Sequence, residues 1–199
     1  VMNSLLFVIT FLPISLMPGI NMTLALSFGM ALGYRRTLPM LAGQVFSLLF
    51  IAVLCIFGIG ALLIKYTLAF SVFKICSGIY LIYLGAKGFL RRGGVNVKSV
   101  KGDKSGVGLF VKGALISLSN PNAWIFLAAI LPAFLNKADP FGSDMYLLLF
   151  LLFIVEIFAL NVYALGGMAF KKLLANHLRI LEIVSAFLMC FIGVWMIVN

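Results

Sequence analysis

A single acidic residue, Glu156, lies in the interior of a long apolar run that covers residues 145–170. A charge near the centre of a bilayer costs several kcal/mol, so acids at that depth usually belong to ion or proton pathways. If this run spans a membrane, Glu156 is a candidate proton-coupling residue. Tyr163 lies two helical turns further on, on the same helix face, and is a candidate to line the same cavity. A structural Glu156, either protonated or paired with Lys74, is the alternative.

Two short motifs, at residues 18–21 (PGIN) and 120–122 (NPN), combine proline with asparagine inside apolar runs. Proline removes a backbone donor and clashes with the preceding turn, so each motif is predicted to interrupt a helix. Asn21 is expected to cap the first restarted helix. Each restarted helix would present free N–H groups, and the carbonyls before each break would lose their partners.

Together the two breaks predict a site for a zwitterion. Free N–H groups at a positive helix end suit a carboxylate, and unpaired carbonyls suit an ammonium group. A simple proline kink, satisfied by a neighbouring helix, is the alternative for each break. Gln44 is polar within another apolar run and is a further candidate to line the cavity. The predicted substrate-binding residues are Pro18, Gly19, Asn21, Asn120, Pro121, Asn122 and Trp124.

The elements that position these residues must lie in a membrane. Of 199 residues 64% are hydrophobic and only 10% are charged, whereas soluble domains carry about 25% charged residues. The apolar runs are continuous rather than alternating, which predicts helices and excludes a β-barrel. No stretch remains for a soluble catalytic domain, so an enzyme is not expected. The six predicted spans are Leu5–Leu32, Leu38–Ile64, Leu68–Leu90, Val107–Leu135, Met145–Phe170 and Leu178–Val198.

The basic residues between these segments predict the orientation. Of 15 Lys and Arg, twelve fall on one side of six spans, while Lys65, Lys74 and Lys137 fall on the other. The positive-inside rule puts the larger group in the cytoplasm and both termini outside. This also accounts for the net charge of +10 without nucleic acid, because no basic stripe alternates with exposed aromatic residues. The larger group comprises Arg35, Arg36, Lys87, Arg91, Arg92, Lys98, Lys101, Lys104, Lys112, Lys171, Lys172 and Arg179.

The two halves of the chain resemble each other. The motif Ile-Ser-Leu precedes both breaks, at residues 14–16 and 116–118, and further matches follow in the same order. A repeat of three spans enters the membrane from opposite sides, so the duplication is predicted to be inverted. The sequence thus predicts one all-α membrane domain with two inverted three-helix repeats, residues 1–90 and 107–199, joined by a cytoplasmic linker at 91–106. The further matching residues are Ile75, Ser77 and Gly85 with Ile183, Ser185 and Gly193.

No cofactor or metal is expected. Cys55, Cys76 and Cys190 are isolated in apolar runs, and the one histidine, His177, falls in a predicted loop. A transmembrane thiol–disulfide carrier would need a cysteine beside each broken proline, and a metal-ion exporter would need clustered acids. Both remain alternatives to a small-molecule transporter, and a structural membrane protein stays open without positive support.

These motifs resemble the lysine-exporter and homoserine/threonine-resistance family of bacterial amino-acid exporters. The family's P-G-P-N-like motif corresponds to residues 18–21, followed by small residues and Arg from Gly29 to Arg36. Its N-P-K and L-P-x-F motifs correspond to residues 120–122 and 131–134. Here Ile20 replaces the second proline and Asn122 replaces the lysine. The resemblance implies a proton-driven inner-membrane exporter of amino acids or related metabolites. Without a second deep acid, a neutral amino acid is favoured, and a homo-oligomer is left open.

Overall fold

The computed structural model describes residues 4–17, 19–90, 105–136 and 138–198 of the chain. Pro18 and most of the predicted linker, residues 91–104, lie outside this part. The described residues are almost entirely helical, and none of them forms a strand. The predicted all-α architecture is therefore confirmed.

Seven helices follow one another in the described ranges of the chain, and a short 3-10 turn at Leu131–Ala133 follows the sixth. Apart from the predicted loop that falls inside the last helix, the outer ends of these helices and of the two broken pairs differ from the predicted segments by only a few residues, because lipid-sized apolar runs set the helix lengths. The helices are α1 (Ser4–Ser15), α2 (Ile20–Leu32), α3 (Tyr34–Lys65), α4 (Thr67–Leu90), α5 (Gly106–Leu118), α6 (Pro121–Ile130) and α7 (Ser143–Val198).

Within the described part of the chain, three helical stretches are long and apolar enough to cross a membrane: Tyr34–Ala61, Leu68–Lys87 and Ser143–Gly166. Two bent pairs, α1 with α2 and α5 with α6 and its 3-10 turn, add up to two more spans, each bent by 61° at its break. The apolar stretch Ile183–Val198 is shorter. It measures about 24 Å at 1.5 Å per residue, against a core of about 30 Å.

The last two predicted segments form one helical stretch, α7. The predicted loop between them, which contains His177, is therefore wrong. Lysine, leucine and alanine dominate residues 171–175 and are strong helix formers. Their backbone preference continues the helix where the charged side chains indicated a break.

Close backbone contact fixes α5 against α3. A Cβ added at Gly43 would overlap the Phe110 carbonyl oxygen and stand 2.9 Å from the Ala114 nitrogen, and Gly113 faces α3 equally tightly. Small residues permit such contact between membrane helices. The Ser47 hydroxyl adds an interhelical hydrogen bond to the Ala114 carbonyl at 3.0 Å. Because α5 leads into the second break, this contact positions that break.

One residue, Gly33, joins α2 to α3. Its φ of 80° lies in the left-handed region, which glycine adopts without a Cβ clash. Its N–H donates to the Gly29 carbonyl at 3.0 Å, and its carbonyl accepts from the Thr37 hydroxyl at 3.0 Å. The joint between the two helices is therefore short and hydrogen-bonded on both sides.

Two apolar clusters fill the interior, and a polar layer lies between them. The first cluster includes Phe7 and Phe11 of α1 and Leu148 to Val155 of α7. The second includes Met22 to Phe28 of α2 and Ala159 to Ala164 of α7. Along α1–α2 and along α7, the residues between the two clusters are the first break and Glu156.

Candidate functional site

The first break leaves the start of α2 without a side-chain cap. Gly19 occupies the N-cap position in an extended conformation and supplies no capping side chain. The first helical bond runs from the Thr23 N–H to the Gly19 carbonyl at 2.9 Å. The N–H groups of residues 20–22 precede this bond, so α2 itself offers them no acceptor. The prediction that Asn21 caps the helix is wrong, because Asn21 lies one residue inside it.

Glu156 lies against the end of α1. The Ser15 hydroxyl, on the last residue of α1, donates a hydrogen bond to the Glu156 carboxyl group. Glu156 is only 4% exposed, which places an acid in the interior of the helical assembly. The sequence analysis did not predict Ser15 as a site residue, although its position in the repeated Ile-Ser-Leu motif indicated it.

Tyr163 closes the other side of the same break. It is fully buried, and its O–H donates to the Leu16 carbonyl at 2.6 Å. This carbonyl lies just beyond α1, where the helix no longer supplies a donor. Glu156 and Tyr163, which the sequence placed on one helix face, therefore contact adjacent residues at the end of α1.

Gln44 reaches the start of α2 from α3. Its side-chain Nε2 donates to the Asn21 main-chain carbonyl at 3.2 Å, and Gln44 is fully buried. The Gln44 Oε1 and the Asn21 Oδ1 are both buried and have no hydrogen-bond partner among the described residues. Two acceptor oxygens therefore lie unpaired at the start of α2. Buried polar atoms are rarely left unpaired, and the exceptions often mark functional sites.

At the second break, the main-chain N–H groups at the start of α6 already have acceptors within the break itself. Asn120 is the N-cap of α6, and its Oδ1 accepts from the Asn122 N–H at 3.1 Å. The Ala123 N–H donates to the Asn120 carbonyl at 3.1 Å, and Pro121 has no N–H. The prediction of free donors at both breaks is therefore wrong for the second break. The side chains of Pro121 and Asn122 are exposed.

Trp124 caps the carbonyl before the second break. Its indole Nε1 donates to the Leu118 carbonyl at 2.8 Å. Leu118 holds the same place in the repeated Ile-Ser-Leu motif as Leu16, whose carbonyl accepts from Tyr163. Both carbonyls are therefore occupied by an aromatic donor, and neither is the free cation ligand that the sequence predicted.

The two broken helices pack crosswise. Phe11 of α1 stacks on Phe126 of α6 with ring centroids 6.2 Å apart. On the other side of the breaks, the Lys112 amino group of α5 lies 5.1 Å from the Phe28 ring centroid of α2. The first half of each broken helix therefore contacts the second half of the other.

The described residues include no group of three or more His, Cys, Asp or Glu side chains that could hold a metal ion. The three cysteines are free, and Cys190 of α7 faces α4, where its Sγ is 3.7 Å from the Ile82 carbonyl oxygen. The site described above is built from peptide groups, amides, one acid, one phenol, the Ser15 hydroxyl and the Trp124 indole.

Bilayer-length helices, two broken helices packed crosswise and a buried polar layer are features of the membrane-transporter class. Comparison with known protein families agrees with this class. Residues 12–199 match the LysE type translocator family, and the chain belongs to that family. The resemblance stated from the motifs is confirmed, and the protein is a transporter rather than an enzyme.

Individual proteins of several bacteria are similar to this chain. An uncharacterized membrane protein of Vibrio cholerae is 32% identical over 66% of this chain and 64% of its own length. The homoserine/homoserine lactone efflux protein of Salmonella typhimurium is 27% identical over 79% of this chain and 77% of its own length. The membrane protein YrhP of Bacillus subtilis is 24% identical over 78% of this chain and 79% of its own length. No solved structure matches the chain significantly.

Proposed function

We propose that this protein exports amino acids or related small metabolites across the bacterial inner membrane in exchange for protons. Membership of the LysE type translocator family supports translocation. The name of the Salmonella relative, an efflux protein for homoserine and homoserine lactone, supports a small amino acid as substrate. The metal-ion exporter and the thiol–disulfide carrier gain no support from the family or from this relative.

The first break supplies the observation that carries this proposal. The substrate carboxylate would bind the uncapped N–H groups at the start of α2, where the helix dipole favours an anion. The substrate ammonium would donate to the two unpaired oxygens, Asn21 Oδ1 and Gln44 Oε1. A buried polar atom without a partner costs about 1–3 kcal/mol, so a ligand that satisfies both oxygens binds favourably.

Glu156 would couple this site to protons. Its carboxyl is buried and bonded to Ser15, directly before the break that holds the substrate. A proton on this carboxyl and the ammonium group of a substrate near it would compete, because both neutralise the same buried charge. Such competition at one site is the simplest basis for exchange.

The second break would form the opposite wall of the site. Asn120, Pro121, Asn122 and Trp124 shape a self-capped turn there, which gives rigidity rather than free donors. Gly19, which leaves the start of α2 uncapped, belongs to the first wall. Pro18 lies outside the described residues, and its part in the site stays a prediction from the sequence.

Two inverted repeats of three spans complete the proposed architecture. They require the chain to reverse direction within the helical stretch α7, between the fifth span, Ser143–Gly166, and the sixth, Ile183–Val198. In the alignment of the two halves, Gly85 corresponds to Gly193 and Gly78 to Ala186. A Cβ at Gly85 would stand 2.6 Å from the Ala186 carbonyl oxygen, and one at Gly193 would stand 2.5 Å from that of Gly78. The alignment of the two halves maps each of these contacts onto the other, which supports a pseudo-twofold relation between α4 and the end of α7.

Counterflow in proteoliposomes tests the function. Purified protein would be reconstituted with an unlabelled amino acid inside, and uptake of the same labelled amino acid would be followed for a panel that includes homoserine, threonine, leucine and lysine. We expect exchange of at least one small neutral amino acid and stimulation by an imposed pH gradient. Failure to exchange any member of the panel, in vesicles shown to contain folded protein, would overturn the proposal.

The proton role of Glu156 has its own test. Glu156→Gln should abolish stimulation by the pH gradient while substrate exchange persists, because the amide keeps the shape but carries no exchangeable charge. Asp144→Asn is the matched control, since it makes the same chemical change at the start of the same helix. If the pH gradient still stimulates transport by Glu156→Gln, Glu156 is not the proton carrier.

The orientation is tested by reporters. We expect a C-terminal alkaline phosphatase fusion to be active, because six spans and the positive-inside rule put both termini outside the cytoplasm. A fusion of a cytoplasmic reporter that is active at the same end would contradict six spans in this orientation.

A further inference from the structure

An apolar cavity of about 500 Å³ lies between α3 and α7, and no residue of the transport site lines it. Its α3 side carries Leu38, Phe46 and their neighbours, and Leu38 and Phe46 are 40% and 57% exposed. The cavity therefore opens on the outer surface of the helix pair. Its full lining is Leu38, Leu41, Ala42, Val45, Phe46, Leu49, Phe153, Ile157, Leu160 and Asn161.

This cavity is a groove along α3, and its length is that of one lipid tail. From Leu38 to Leu49 it follows α3 for about 16 Å at 1.5 Å per residue, which is about half of a hydrocarbon core of about 30 Å. The groove begins near the first residues of α3, a helix long enough to cross a membrane, and runs from there toward the middle of that helix. An acyl chain of one leaflet lies at this depth.

The mouth of the groove is polar. There the Tyr34 hydroxyl donates to Asn161 Oδ1 at 2.6 Å, and Asn161 Nδ2 donates to the Ile157 carbonyl at 2.7 Å. Arg35 is exposed in the same turn of α3. Two helical turns separate Arg35 from Ala42, so both lie on the groove face of α3.

We infer that this groove is a binding site for an anionic phospholipid, with one acyl chain along α3 and the phosphate on Arg35. The apolar lining fits the chain, and the guanidinium at the mouth complements the phosphate with paired hydrogen bonds. Basic residues beside grooves between membrane helices are a known basis of anionic lipid recognition. Arg36, which is also exposed, lies about 100° further round the helix and off the groove face.

Native mass spectrometry of the full-length protein in detergent tests this inference. The protein would be titrated with palmitoyl-oleoyl phosphatidylglycerol and, separately, with the phosphatidylcholine of the same chains. We expect tighter binding of phosphatidylglycerol. Arg35→Gln should weaken phosphatidylglycerol binding about fivefold and leave phosphatidylcholine unchanged, whereas the matched Arg36→Gln should change either by less than about twofold.

Ala42→Trp tests the groove itself, because the indole would fill the space that the acyl chain needs. It should lower the affinity for both lipids while the unfolding temperature stays close to wild type. Equal losses from the two arginine variants would reduce the effect to general surface charge and overturn the inference. Unchanged lipid binding in Ala42→Trp, or displacement of the lipid by soluble glycerol phosphate, would also overturn it.

Discussion

The hydrogen bond from Tyr163 to the first break gives a sharp test of how the site is held. Tyr163→Phe keeps the ring and its packing but removes the O–H that lies 2.6 Å from the Leu16 carbonyl oxygen. Tyr163 is fully buried, so bulk water does not replace the donor. A buried group left unpaired costs about 1–3 kcal/mol, and hydrogen bonds between membrane helices reach about 1.7 kcal/mol.

From these limits we expect Tyr163→Phe to lower the free energy of unfolding by about 1–2 kcal/mol. This is about a 5- to 30-fold change in the folded-to-unfolded ratio. Titration of the purified protein with sodium dodecyl sulfate in mixed micelles measures it. Tyr146→Phe is the matched control, because Tyr146 is an exposed tyrosine of the same helix. Counterflow should also slow, since the chain that enters α2 loses an anchor. Equal unfolding free energies for the two variants would refute the reasoning.

Three further substitutions test the packing and the second break. Gly29→Ala should destabilise the protein by about 1–3 kcal/mol, because its Cβ would stand 2.9 Å from the Ala164 carbonyl carbon, and normal stability would mean that α2 and α7 are not in contact. Gly58→Ala, where no atom lies within 4 Å, should cause no loss, and a loss as large as that of Gly29→Ala would contradict the difference in packing. Trp124→Phe should cost about 0.6–1.7 kcal/mol in the same titration by removing the donor to the Leu118 carbonyl, and a value near zero would show that this bond does not hold the break.

The helices could be predicted because lipid imposes simple rules. Apolar runs long enough to cross a bilayer must be helical, since only a helix or a closed barrel satisfies every backbone group there. Both breaks could be located from proline beside asparagine, because proline interrupts the backbone hydrogen bonding of a helix wherever it stands. The depth of Glu156 followed from its place within one run, and the structure buries it.

The hydrogen bonding at the breaks could not be predicted from local sequence. The donor to the Leu16 carbonyl is Tyr163, which is far along the chain, and the group that reaches Asn21 is on α3. The difference between the two breaks depends on Asn120, whose side chain caps its own helix, while Gly19 has no side chain to do so. The sequence analysis did not predict that α7 continues through its charged residues. Charged residues indicate a loop only where their neighbours are not strong helix formers.

The single residue between α2 and α3 has a mechanical consequence. With planar peptide bonds, Gly33 provides only two soft backbone torsions to absorb any change in the angle between these helices. Any tilt of α2 in the proposed transport cycle would be taken up at this hinge or transmitted as a lever to α3. Arg35 lies two residues beyond the hinge, so a movement of α2 in the proposed transport cycle would reach the proposed lipid-binding groove through one short connection.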